Sequence, residues 1–217
     1  MNTKTPKRSK GDIVHSVVKA ALGSIPVGGN AAAEFFQLLV TPPLEKRRDE
    51  WIAEVGARLQ ELETKGITLD SLQANEQFIS TLMQATQLAL RTHQNEKREA
   101  LRNAVQNSAR PGAPDDSEQQ IFLNFVDSFT EWHIRILRLF RAPPSASTIL
   151  SGALSAVIER QYPELKNRRE FYDQVWRDLF LRGLVNTEGL HVMMSGHGLT
   201  QQRTTQLGSR FLDFISE

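Results

Sequence analysis

A mainly helical fold with one small β-hairpin towards its C-terminal end is what this sequence predicts, and three observations predict it. Apolar residues recur at three- and four-residue spacing through most of the 217 positions. Proline pairs, glycines and capping residues punctuate those stretches at helix-length intervals. After Gly183 the pattern changes to short apolar pieces separated by Gly189, Gly196 and Gly198, where a hairpin fits.

The elements follow in chain order. Residues 1–10 form a basic arm holding Lys4, Lys7, Arg8 and Lys10 without an acid, and such an arm is expected to be disordered. Ile13, Val14, Val17, Val18, Ala21 and Leu22 predict a short helix over 12–22, with Asp12 as its N-cap and Gly23 as its end. A second short helix, from about Asn30 to Val40, is apolar on nearly every side apart from Glu34 and Gln37. Thr41-Pro42-Pro43 reads as a break and restart, because proline suits the first helical position and threonine the cap before it. The helix that follows carries Leu44, Trp51, Ile52, Val55, Leu59 and Leu62 as its core stripe, and Gly66 stands where its C-terminal cap belongs.

From about Asn75 to Ser108 the pattern predicts one long helix. Its apolar positions lie at the two ends, with the polar run 91–99 between them, so its middle is expected to bridge two packed units through solvent, or else to bend. Arg110-Pro111-Gly112-Ala113-Pro114-Asp115-Asp116 reads as the linker between those units. Beyond it, Ile121, Phe122, Phe125, Val126, Phe129, Trp132, Ile136, Leu137 and Phe140 predict a strongly amphipathic helix that Pro143-Pro144 stops. Helices from Thr148 to about Arg160 and from Leu165 to Arg182 complete the series. The organisation expected is a basic arm (1–10), a helical domain with the connecting helix (11–109) and a C-terminal domain (117–217).

The last stretch has an order of its own. A helix ends in Leu179-Phe180-Leu181-Arg182, Gly183 turns the chain, and Leu184-Val185 start a strand. Thr204-Thr205-Gln206-Leu207-Gly208 then opens a closing helix through Phe211, Leu212 and Ile215. This resembles winged-helix domains, in which helix, glycine, strand, wing and closing helix succeed one another; a plain helical bundle with a long loop is the alternative. Winged-helix readers of DNA place the helix before the hairpin in the major groove. Here Arg169, Glu170, Asp173, Gln174 and Arg177 occupy its outward positions and alternate in sign. Carboxylates facing phosphates oppose association, so Arg169, Asp173, Arg177 and, in the wing, Arg203 are expected to form a protein-interaction surface. Net charge agrees. The formal charge is +1, and taking the arm's four cations from the 26 leaves 22 basic against 25 acidic side chains, too few cations to hold a nucleic acid by counterion release.

Chemistry-bearing motifs are scarce. There is no cysteine, which removes disulfides, thiolate ligands and a thiol nucleophile, and suits a reducing compartment. The glycine-rich run 23–29 lacks the Lys-Ser/Thr of a phosphate loop. His191 and His197 lack metal-ligand spacing and read as loop histidines, and Ser195-Gly196-His197-Gly198 is not a nucleophile elbow. His15 and His133 sit beside apolar residues as core-edge groups. No cofactor is expected, and the chain is expected not to be an enzyme. The tract 20–41 is apolar apart from Glu34, and Phe35, Phe36, Leu38 and Leu39 make it a candidate membrane-active segment. Pro26 and Gly28-Gly29 cut it below the ~20 continuous apolar residues a span requires, and burial in the core is the simpler fate.

The glycine-bent opening with Ile25-Pro26-Val27-Gly28-Gly29 ahead of Pro42-Pro43-Leu44-Glu45-Lys46-Arg47-Arg48, the helical middle and the winged-helix-like end are similar in layout to bacterial abortive-infection alpha-like proteins of unknown function. That resemblance implies a role in antiphage defence or stress response and carries over no functional residues. The leading expectation is a non-enzymatic interaction or regulatory protein of the bacterial cytoplasm, with a protein partner or self-association. A membrane-active effector using residues 20–41 and a DNA-binding regulator are the alternatives.

Overall fold

A computed structural model describes residues 31–144 and 151–217. The basic arm, the helix expected over 12–22 and the first part of the apolar tract lie outside these residues. The described chain is mainly helical and falls into two compact units. The first comprises residues up to Asp127 together with Phe214–Glu217; the second is Ser128–Asp213.

Helix α1 (Ala31–Thr64) corrects the expected break, because it runs straight through Pro42 and Pro43. Proline's fixed φ is compatible with a helix and its cost lies in a lost hydrogen bond and ring crowding. Thr41, Pro42 and Pro43 are all exposed, which leaves room and water for the freed carbonyls. Phe35, Phe36, Leu38 and Leu39 belong to the first turns of this helix rather than to a separate short one. The far end is as the sequence predicts: Gly66 takes φ 86°, Ile67 N–H donates to Leu62 O and Gly66 N–H to Glu63 O, a Schellman closure. Trp51, Val55, Leu59 and Leu62 are buried as one stripe.

A short helix, α2 (Leu69–Gln73), leads to α3 (Glu76–Arg91) and α4 (Asn95–Ser108). The long bridging helix is therefore not formed. The chain turns at Thr92, His93 and Gln94, and α3 and α4 pack against each other and against α1. Part of the polar run is even buried. Arg98, 9% exposed, sends Nη1 to Glu50 at 2.9 Å and Nη2 to Glu54 at 3.2 Å, so its charge enters the helix interface already paired. The expected linker, 110–116, is a loop within this first unit; Gly112 turns it at φ 80° and Asp115 caps the next helix through Glu118 N–H at 2.9 Å. That helix, α5 (Asp116–Ser128), buries Phe122, Leu123, Phe125 and Val126. Segment 214–217 closes the unit: Asn107 Nδ2 donates to Phe214 O and Ser216 O, and Arg58 meets Glu217 at 2.6 Å.

In the second unit, α6 (Glu131–Arg141) begins anew after Phe129, because Thr130 and His133 cap one another. The expected helix over 121–141 is thus two. β1 (Ser151–Gly152), α7 (Leu154–Gln161), a 3-10 turn at Pro163–Leu165 and α8 (Arg169–Leu181) follow, then β2 (Met194–Ser195), the short α9 (Gly196–Leu199) and α10 (Gln206–Phe214). Its core gathers Ile134, Phe140, Leu154, Tyr172, Trp176, Leu179 and Phe211. The strand pairing differs from the hairpin expected after Gly183. β1 pairs antiparallel with β2, and Val185 meets Thr204 in a single isolated bridge.

The Thr-x-x-Gly at the start of α10 has a definite task. Thr205 N–H donates to Leu184 O at 3.0 Å, its hydroxyl to Gly183 O at 2.6 Å, and the same oxygen caps Gly208 N–H at 3.0 Å. A Cβ on Gly208 would lie 2.2 Å from Leu184 O, so only glycine permits this approach.

Candidate functional site: the cleft beside helix α8

Gly183, at φ 71°, ends α8 and sends the chain into a loop that returns along the helix. Three points pin this loop. Trp176 Nε1–H donates to Thr187 O at 3.1 Å, and Ser155 N–H to Leu190 O at 3.0 Å. The ring of His191 is held at both nitrogens, Nε2 by Asp173 Oδ1 at 2.7 Å and Nδ1 by Ser155 Oγ at 3.1 Å. A Cβ on Gly189 would lie 2.7 Å from Val192 Cγ2, so a larger residue there would displace the Val192 side chain. A carboxylate can only accept, so Nε2–H donates to Asp173, and in the neutral ring Nδ1 accepts from the Ser155 hydroxyl.

Between loop and helix lies an open cleft of about 400 Å³. Trp176, Leu190 and Val192 supply its apolar lining, and Asp173, Arg177, Glu188 and His191 its polar lining. Val192, in the cleft wall, and Met193, next to it in the chain, are 59% and 69% exposed. Nearby, Tyr172 is buried and donates to Glu159 Oε1 at 2.8 Å; burial first, then that carboxylate, push its phenol up to about 12.

Of the residues singled out in the sequence, Asp173 and Arg177 line this cleft. Arg169 is exposed one turn before Asp173 and approaches its carboxylate at 3.6 Å. Arg203 is outside this cleft: its half-buried guanidinium donates to Gly198 O and touches Met194 Sδ, bracing β2 and α9. His197 is exposed on α9, whereas His191, read as a plain loop histidine, is a bonded element of the cleft. Ser155, Asp173 and His191 come from three separate elements, and no spacing in the sequence announces their meeting. His133 is buried; its Nδ1 accepts from Thr130 N–H at 3.1 Å, its Nε2 reaches Asp178 at 3.3 Å, and its ring stacks on Phe129 at 4.6 Å.

The trio Ser155–His191–Asp173 has the connectivity of a nucleophilic serine relay, but its surroundings do not suit acyl transfer. Ser155 is 9% exposed and does not line the cleft. The amides beside its hydroxyl are already bonded, Ser155 N–H to Leu190 O and Ala156 N–H to Ala153 O, so neither is available to an oxyanion. The trio acts as a clamp on the loop. Among the described residues no three histidine or carboxylate groups converge as a metal site, and no helix is long and apolar enough to cross a membrane. No family model, curated protein or solved structure matches the chain.

Proposed function

We propose that the chain is a non-enzymatic interaction protein that receives a protein partner in the cleft beside α8. The observation that carries this reading is the cleft itself: an apolar lining of Trp176, Leu190 and the exposed Val192, rimmed by charges of both signs. Protein interfaces combine an apolar centre with a polar rim in this way. The outward face of α8 supports it. Arg169 is engaged with Asp173, Arg168 lies over the Phe171 ring at 4.2 Å, and Arg203 is turned inward. What remains is a mixed face, poorly suited to a phosphate backbone. The succession α6, β1, α7, α8 and the clasp of Thr205 on the Gly183 turn favour a winged-helix-like module put to protein binding. The layout shared with abortive-infection alpha-like proteins makes antiphage defence in a bacterial cytoplasm the setting in which to seek the partner.

The test is site-directed photo-crosslinking in the producing cells. A crosslinker at Val192 is expected to trap one discrete protein adduct, lost with Arg177→Glu, whereas a crosslinker at Arg160, exposed on α7, traps none. Salt-sensitive duplex binding that disappears with Arg169→Glu and Arg177→Glu would replace this reading by a DNA-binding regulator. Leakage of anionic liposomes on adding the full chain would replace it by a membrane-active effector.

A further inference from the structure

The turn between α3 and α4 builds a second cleft, in the first unit, of about 340 Å³. Arg91, His93 and Lys97 line it, with Asp127 as the one carboxylate and Leu101 and Val126 among its apolar walls. Two permanent cations and a histidine against one acid give the cleft a local excess of positive charge. The single acid is used frugally. Its Oδ1 takes Arg91 Nη2 at 3.1 Å, while Lys97 Nζ reaches only its backbone carbonyl, at 2.8 Å. Lys97 is thus held half-buried on a neutral acceptor, with two of its three N–H donors free of any protein partner among the described residues. Burial holds its amine below the usual lysine range, and the neighbouring Arg91 adds repulsion that the Asp127 charge opposes. An anion entering the cleft would favour the charged amine and so offset both effects. At the adjoining start of α4 the Gln94 side chain makes no capping bond, so no side chain occupies the first amides there.

We infer that this cleft binds the phosphate group of a small phosphomonoester through Arg91 and Lys97, with His93 at its rim. A tetrahedral dianion offers acceptors to donors converging from different directions, which a planar carboxylate does less well. The volume exceeds that of phosphate alone and leaves space for an organic substituent along Leu101 and Val126.

The experiment is a titration of the isotopically labelled full chain, followed by amide NMR shifts, with inorganic phosphate in one arm and phenyl phosphate in the other. Saturable shifts are expected at Thr92, His93, Gln94 and Lys97. Arg91→Gln and Lys97→Gln should each weaken binding by about tenfold or more, the loss expected for one charge-assisted bond, while Lys97→Arg retains most of it. Arg160→Gln, far along the chain on an exposed face, should bind as the unaltered protein does. Tighter binding of phenyl phosphate assigns the site to a monoester, and equal or weaker binding overturns the monoester in favour of free phosphate. No saturation at these amides up to tens of millimolar, or equal weakening by Arg160→Gln, overturns the site altogether. A change in the melting curve of Lys97→Gln is checked against Lys97→Arg, which keeps the charge and the fold together.

Discussion

Gly208→Ala offers a test of the second unit at a single atom. The added Cβ would lie 2.2 Å from Leu184 O, 3.1 Å from Leu184 C and 3.3 Å from Leu184 Cα. These are backbone atoms, so no rotamer change can relieve the clash, and α10 must retreat by about 1 Å to restore ordinary contact. The retreat acts on the two bonds that tie Thr205 to Leu184 O and Gly183 O, each worth about 1 kcal/mol. Overpacking strain adds about 1–3 kcal/mol, and the better helix propensity of alanine returns at most ~1 kcal/mol. The net loss is about 2–4 kcal/mol, or a fall of ~5–15 °C in midpoint for a chain of this size. Gly56→Ala is the matched control. Gly56 lies inside α1 with nothing within 4 Å of its added Cβ, so the same change there should stabilise by up to ~1 kcal/mol. Thermal unfolding by circular dichroism, with urea melts to check for two separate transitions, measures both. If Gly208→Ala melts at or above the unaltered midpoint, α10 does not rest on Leu184 and the clasp described here is wrong.

Two further outcomes follow from buried groups. Thr86 accepts the Trp51 indole N–H at 3.0 Å and donates to Leu82 O at 2.7 Å, both side chains being buried. Thr86→Val keeps the shape and strands the indole N–H, so urea unfolding should show a loss of about 1–3 kcal/mol; no loss would mean that the bond is not made. Tyr172 has a folded pKa of about 12 against 10 for the free phenol, so the fold favours its neutral form. Its contribution is complete below pH 10 and declines as pH rises towards 12. Ultraviolet titration of Tyr172→Phe against the unaltered chain should remove the late-titrating phenol and flatten this alkaline decline, and a phenol that titrates at 10 would contradict its burial beside Glu159.

Helical character was legible because it rests on local periodicity: the stripe Trp51, Val55, Leu59, Leu62 and the cap at Gly66 need no knowledge of distant residues. The errors in the first unit share an origin, the treatment of polar and proline residues as breakers or solvated faces by their type alone. Pro42 and Pro43 are carried within a helix where both are exposed. Arg98 is buried because Glu50 and Glu54, 48 and 44 residues away, neutralise it. The polar run 91–99 thus contains a turn and a buried ion pair rather than a bridge, and the unit boundary moves from the proline-rich loop at 110–116 to Asp127. Tertiary partners decided each case, and spacing along one chain does not reveal them.

The same limit explains the site. Alternation of charge along Arg169, Glu170, Asp173 and Arg177 is a local property, and the sequence alone places these residues on the outside of one helix. The cleft is not local: His191 becomes part of it only because Ser155 and Asp173, 36 and 18 residues earlier, hold opposite sides of its ring. Severing one of these contacts should therefore loosen the loop without unfolding α8, whose own core contacts run through Tyr172, Val175, Trp176 and Leu179. Asp173→Asn keeps an acceptor for Nε2–H but removes the charge, so it separates the two parts of the clamp. If hydrogen exchange at Leu190, His191 and Val192 rises in Asp173→Ala and stays low in Asp173→Asn, the hydrogen bond holds the cleft; equal rises show that the negative charge of Asp173 is required. Unchanged exchange in both would mean that Trp176 and Ser155 suffice, and that Asp173 is free to meet a partner.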